Sequence, residues 1–336
     1  MKNRRVLVTG SAGFIGFHLS KLLLSEGFKV HGFDGITDYY DTNLKNHRNE
    51  ILCESPDFSF TKGMLEDHAL LRNEFKTFKP SVVVHLAAQA GVRYSLKNPK
   101  AYIDSNIVGT FNVIEEAKNH NINHLLIAST SSVYGANENM PFKEIDKADT
   151  QMTIYAASKK ANESMAHSYS HLHKLPTTLF RFFTVYGPWG RPDMALFKFT
   201  KGILSNEPID IYNNGEMYRD FTYVEDIVQS IRLLIDKIPV EGKPVEKNDS
   251  LSPVAPYRLL NIGNSKKIRL LDFIEAIENE LGKKAVRNLM PMQMGDVSET
   301  FADTSLLKAL VDYSPNTEIE KGVALFIKWY KDYYNV

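Results

Sequence analysis

The chain has 336 residues, and its 40 basic and 40 acidic side chains leave zero formal charge at neutral pH. Zero net charge provides no electrostatic footprint for nucleic acid or for an anionic membrane surface. No apolar run is long enough to span a bilayer, Met1 stands just ahead of the first strand with no room for a leader, and Cys53 is the only cysteine; a reducing, cytoplasmic setting is therefore expected.

Arg5 to Thr9 reads as a short buried strand running into Gly10-Ser-Ala-Gly13-Phe-Ile-Gly16, and Ile15, Leu19, Leu22 and Leu23 then carry helical spacing. A strand, a glycine-rich turn and a helix N-terminus, in that order, form a pyrophosphate site, because the glycines let backbone approach and the helix end offers free N–H groups. A second strand, Lys29 to Phe33, delivers Asp34 eighteen residues after Gly16. A carboxylate there accepts both ribose hydroxyls of NAD and repels the 2′-phosphate of NADP. The alternative is a structural glycine turn with a surface Asp. Lys45 to Arg48 reads as a solvated basic helix face, and Cys53 as a small buried hydrophobe rather than a reactive thiol.

Two further apolar strands, Ser81 to His85 and His124 to Ala128, alternate with helical segments. The alternation predicts an α/β fold, a Rossmann-type doubly wound parallel sheet whose ligands lie beyond the carboxyl ends of the strands. The hydroxyls of Ser129-Thr-Ser-Ser132 would emerge at that edge. Tyr155 and Lys159 follow, one helical turn apart on one face. Moving a phenol from a pKa of about 10 to about 7 takes roughly 4 kcal/mol, and one ammonium some 6 Å away supplies only about 3 kcal/mol. A second positive charge is wanted, and an oxidised nicotinamide would provide it.

His167, His171 and His173 include an i, i+4 pair, but no metalloprotease pattern accompanies them; they read as solvent- or dimer-facing, with no metal site. From Phe183 onward aromatics, Gly and Pro become frequent, residues 240–256 read as an exposed loop, and an amphipathic run near Leu270 to Leu281 indicates a smaller C-terminal α+β substrate-binding lobe. The division expected is residues 1–182 with about 223–262 for the cofactor domain, and residues 183–222 with 263–336 for the lobe.

The Gly10 to Gly16 turn, Asp34, His85 to Ala88, Thr130 with Val133-Tyr-Gly135, Tyr155/Lys159 and Arg219 to Tyr223 together resemble extended short-chain dehydrogenase/reductases that act on nucleotide sugars. More narrowly, Ala90 to Ser95, Arg181 to Met194 and Gly295 to Val297 are similar to the UDP-glucuronate 4-epimerases of that family. The resemblance implies NAD, tightly bound and regenerated each turnover, held by Gly10, Gly13, Phe14, Ile15, Gly16, Asp34, Leu65, Leu86, Ala87, Ala88, Gln89, Tyr155 and Lys159. It implies Tyr155 as proton-transfer group, Lys159 as its electrostatic aid and Thr130 as holder of the sugar 4-oxygen. Many relatives have an Asp where Met64 stands, so the adenine contact falls to Leu65 backbone, Glu66 or water.

Oxidising carbon 4 of glucuronate makes a β-keto acid, which sheds carbon dioxide unless its carboxylate is held out of alignment. Ser131, Ser132, Thr184, Arg191 and Arg93 are the candidates for holding it. Arg219 is the candidate diphosphate clamp, and Asp296 the acceptor for uridine ribose hydroxyls. Related dehydratases and decarboxylases resemble Thr-Asp-Glu and Thr-Ser-Glu in the triplet occupied here by Thr130-Ser131-Ser132, and serine replaces Glu poorly as an acid or base. A lyase or dehydratase, another UDP-sugar 4-epimerase and a non-catalytic NAD sensor remain the alternatives. The resemblance also implies a homodimer formed by the helices near Tyr102 to Lys118 and Tyr155 to His171.

Overall fold

A computed structural model of the protein describes residues 4–293 and 295–336. Seven strands, β1 (Arg5–Thr9), β2 (Lys29–Asp34), β3 (Phe58–Lys62), β4 (Val82–His85), β5 (His124–Thr130), β6 (Thr177–Phe182) and β7 (Tyr257–Ile262), form one sheet in the order β7-β6-β5-β4-β1-β2-β3. Every pairing in it is parallel. Every residue of β4, β5, β6 and β7 is buried, as expected of strands covered on both faces. One face packs on α1 (Phe14–Ser25), where Phe17, Leu19 and Leu23 meet Val6, Val8 and Val84. The other packs on α3 (Gly109–Asn119) and α4 (Ile154–His173), through Val113, Ile114 and Ala166.

Strand β1 pairs with β2 on one side and β4 on the other, so the chain order reverses there. A reversal point in an open parallel sheet leaves a crevice at the strand ends. Asp34 ends β2, and Gly10, Leu86, Ser131 and Phe183 sit just past strand ends, all opening onto it. The second lobe is built on short strand pairs, Thr184–Tyr186 with Phe221–Tyr223 and Ile209–Tyr212 with Arg287–Met290, around a separate apolar cluster that includes Phe273, Val323 and Phe326.

Three expectations need correction. Lys45 and Arg48, on α2 (Thr42–Cys53), are buried rather than solvated. Arg48 donates to Ala12 O (3.0 Å) and to Trp189 O (2.5 Å), because turn carbonyls with no strand partner demand donors and a long cationic side chain reaches them. Cys53 is exposed, and partial burial together with Glu50 pushes its thiol up. His167 is half-buried and bonded to Ser252 Oγ (2.8 Å) in the 240–256 loop rather than free in solvent, whereas His171, which meets Val254 O (2.8 Å), and His173 are exposed. That loop is further pinned by a buried Arg258–Asp249 pair (2.9 Å).

Candidate active site

The glycine turn is shaped by contacts that leave no room for side chains. Gly10 has φ +75°, and a Cβ there would lie 2.7 Å from Ala87 N; a Cβ on Gly16 would lie 2.0 Å from Gly10 O. Asp34 closes the turn by accepting from Ala12 N (3.1 Å) and Ile36 N (2.8 Å). Burial raises its carboxyl, and these two donors oppose the rise. Each carboxylate oxygen retains further acceptor capacity toward the cleft.

Beyond Asp34, Met64 is exposed against Gly35, and Leu65 O is taken by Asn112 Nδ2 (2.9 Å). Glu66, by contrast, has a buried Oε2 with no hydrogen-bond partner. Past β4, Gln89 N and O are both bonded to Asn106, which holds the loop carrying Leu86, Ala87 and Ala88. A cradle that admits no Cβ, a carboxylate with spare acceptor sites and an orphaned buried oxygen all fit a dinucleotide such as NAD.

Tyr155 and Lys159 lie on α4, which Thr153 caps by accepting from Ala156 N (3.3 Å). Lys159 is almost fully buried and donates to Ala128 O (3.0 Å); burial lowers its ammonium to about 8. Tyr155 is raised above its ordinary value by burial, against which the Thr130 hydroxyl and the Arg191 charge act. The protein alone therefore does not make Tyr155 acidic, and the arithmetic that asks for added positive charge stands. Thr130 ends β5 and accepts from Ser132 N (3.2 Å), so it both caps the Ser131–Tyr134 turn and faces the tyrosine.

Beneath this group lies a buried ion pair that sequence reading missed. Glu163 accepts from Arg181 Nε (2.9 Å) and Nη2 (2.8 Å) and from Ser129 Oγ (2.7 Å), while Arg181 covers the Tyr134 ring at 4.5 Å. Its only sequence signal is that Glu163 follows Lys159 by one helical turn.

On the substrate side the candidate cations are already paired. Arg219 Nη2 donates to Asp296 Oδ1 (2.9 Å) and Val297 O (2.6 Å), and Arg93 faces Asp296 Oδ2 at 3.6 Å while covering the Tyr212 ring at 4.6 Å. Asp296 thus stands between two guanidinium groups rather than free. Arg191 is gripped by Asp193, Nε to Oδ1 at 3.0 Å and Nη2 to Oδ2 at 2.5 Å, and Tyr39 Oη donates to the same Oδ2 at 3.0 Å. Tyr39 had no sequence signal, and Asp193 lay inside the Arg181 to Met194 string without being singled out. Ser131, Ser132 and Thr184 line the same cleft, whose volume is about 1900 Å³ and which also takes in the glycine turn and Tyr155.

A doubly wound sheet with this glycine turn, and a Tyr/Lys/Thr group at the strand ends, defines a dinucleotide-dependent enzyme acting at a hydroxyl-bearing carbon. The chain belongs to the NAD dependent epimerase/dehydratase family, whose profile matches residues 6–246. It is 54% identical over 333 residues to a probable UDP-glucuronate 4-epimerase of Rhizobium meliloti, with 98% of each chain covered. UDP-glucuronate 4-epimerase 4 of Arabidopsis thaliana is 44% identical, over 98% of this chain and 76% of the relative. Among solved structures, the UDP-glucuronic acid 4-epimerase of Bacillus cereus in complex with UDP-glucuronic acid and NAD superposes with a TM-score of 0.88 at 30% identity, covering 98% of this chain and all of that one.

Proposed function

We propose that the protein is an NAD-dependent isomerase that converts UDP-glucuronate to UDP-galacturonate by inverting carbon 4. The observation that carries this reading is the meeting of Thr130, Tyr155 and Arg191 in one cleft, with serines at 131 and 132 where an elimination would require acids. Tyr155 takes the proton of the 4-hydroxyl and later returns it. Thr130 shares the same oxygen and fixes the direction of proton movement. Lys159, held on Ala128 O, keeps a positive charge behind the tyrosine. Gly10 to Gly16, Asp34 and Lys159 would hold NAD, which would supply reversible hydride chemistry at carbon 4, with the keto sugar turning over between oxidation and reduction. No net redox change results, so the cofactor serves without being consumed.

The 4-keto acid survives if its carboxylate is held. Arg191 is close enough for its charge to act on Tyr155, which is where a carboxylate one carbon away from the reacting centre would lie. Ser131, Ser132 and Thr184 supply neutral donors beside it. Arg219 is assigned to the diphosphate, and Arg93, expected from sequence at the carboxylate, is reassigned to the diphosphate beside it because both face Asp296.

We also assign the protein to the cytoplasm and to a homodimer. No helix among the described residues is long and apolar enough to cross a membrane. Ile103 and Val108, in the helical turn that leads into α3, and Phe111 within α3 leave apolar surface exposed, which suits packing against a second copy; size-exclusion chromatography with light scattering tests that assignment.

The deciding experiment incubates the protein separately with UDP-glucuronate, UDP-glucose and UDP-N-acetylglucosamine and identifies products by NMR. UDP-galacturonate as the main product is expected. Carbon dioxide release, or a 4-keto-6-deoxy sugar, as the main outcome overturns the reading.

A further inference from the structure

The loop that follows β2, residues 35–41, leaves the cofactor half and reaches across to the sugar side. Tyr39 at its tip donates to Asp193, 154 residues further on, and its ring packs on Tyr94 at 4.8 Å. Gly91, at φ +102°, makes room for this crossing, since a Cβ there would lie 2.4 Å from Tyr39 Oη. The rings continue from Tyr94 to Tyr102 (6.3 Å) and from Tyr102 to Tyr155 (5.9 Å), so Tyr39 is packed in line with the tyrosine of the reaction.

A guanidinium offers a carboxylate two bidentate edges, Nε with Nη2 or Nη1 with Nη2. Asp193 occupies the first edge of Arg191, which fixes the plane of the group and leaves the Nη1 edge to a second acceptor. Asp193 lies only two residues away on the same loop, so the carboxylate that sets the plane needs an anchor from elsewhere. The Tyr39 hydroxyl, brought from the other half of the molecule, stops the carboxylate from turning. Burial and Asp193 push the Tyr39 phenol up to about 12, so it remains a donor at neutral pH. Burial opposes charge on Asp193, but Arg191 outweighs it and holds the carboxyl below its ordinary range.

We propose that Tyr39 and Asp193 are positioning residues for substrate selectivity: together they aim the Nη1 edge of Arg191 at the carboxylate of the sugar. The proposal rests on the assignment of Arg191 to that carboxylate. Because Tyr39 follows Asp34 by five residues, the loop that seats the cofactor ribose is also the one that sets the grip on the sugar acid.

The test is calorimetric titration of the NAD-loaded enzyme with UDP-glucuronate and with UDP-glucose, which differ at carbon 6 by the carboxylate alone. Native protein, Tyr39→Phe, Asp193→Asn and Arg191→Leu are compared, with thermal melts to verify folding; Tyr39→Phe retains the ring against Tyr94 and is the mildest change. The ratio of UDP-glucuronate to UDP-glucose affinity is expected to fall about tenfold in Tyr39→Phe and in Asp193→Asn, the loss of one charge-assisted contact. A ratio that stays within about twofold of native, or that rises because Asp193 was competing for Arg191, overturns the proposal. If Arg191→Leu also leaves the ratio intact, the carboxylate assignment itself falls. If Arg191→Leu collapses the ratio while the other two do not, only the positioning role falls.

Discussion

The cofactor half and the sugar half of the cleft are prepared for ligands in opposite ways. Along Gly10 to Gly16 the site is backbone, shaped by close contacts that exclude side chains, with Glu66 Oε2 left unpartnered beyond it. Across the cleft the site is charge, and each candidate arginine already holds an internal carboxylate: Arg191 with Asp193, Arg219 and Arg93 with Asp296. A backbone cradle needs no counter-ion, because its N–H dipoles cost little to leave facing solvent. A guanidinium half-withdrawn from water does need one, and the internal carboxylate also fixes its direction.

The comparison can be broken at the point where the halves meet. Tyr155→Phe removes the group that both halves serve, and kcat with UDP-glucuronate is expected to fall at least about a thousandfold. Binding of NAD and of UDP should persist, and steady-state kinetics beside calorimetry will check both; retention of full activity would remove the mechanism. Gly16→Ala attacks the backbone side alone. Its Cβ, 2.0 Å from Gly10 O, forces the turn apart, and NAD affinity is expected to drop about a hundredfold, the equivalent of roughly 3 kcal/mol of overpacking. The NAD content of the purified variant, read by absorbance after acid release, measures this.

Arg219→Gln attacks the charged side alone. It is expected to weaken UDP binding about tenfold while leaving NAD content intact, and to flatten the salt dependence of binding. Equal loss of both ligands would mean that the two halves are not separable. A last prediction concerns Lys159, a cation on the cofactor side that donates to a carbonyl rather than to a carboxylate. Burial depresses its pKa to about 8, so the folded state disfavours the charged form. The stability associated with this group is present above its ordinary value near 10.5 and is lost as pH falls through about 8. Chemical denaturation of cofactor-free protein should therefore show Lys159→Met gaining on native at pH 7, by at most about 3 kcal/mol, with the gap closing toward pH 10.5.

The backbone half was readable in advance, since β1, its glycine turn, α1 and Asp34 all fall within thirty residues of contiguous chain. The Tyr155/Lys159 spacing was readable for the same reason, being one turn of one helix. Solvation was misread at Lys45, which Thr37 O draws inward from the preceding loop, and at Arg48, which reaches Trp189 O 141 residues away. The burial of Glu163 with Arg181 was missed because their pairing depends on how α4 settles on β6.

By itself the sequence determined the doubly wound sheet, its dinucleotide turn and the placing of Tyr155 and Lys159 one helical turn apart, because each is encoded in local spacing and in the conformational freedom of glycine. Tertiary structure decided which carboxylate each arginine keeps, that Tyr39 reaches Asp193, and that Tyr155 is raised and Lys159 depressed in the protein alone. Those outcomes follow from burial and from partners distant in the chain, and no short stretch of residues carries either.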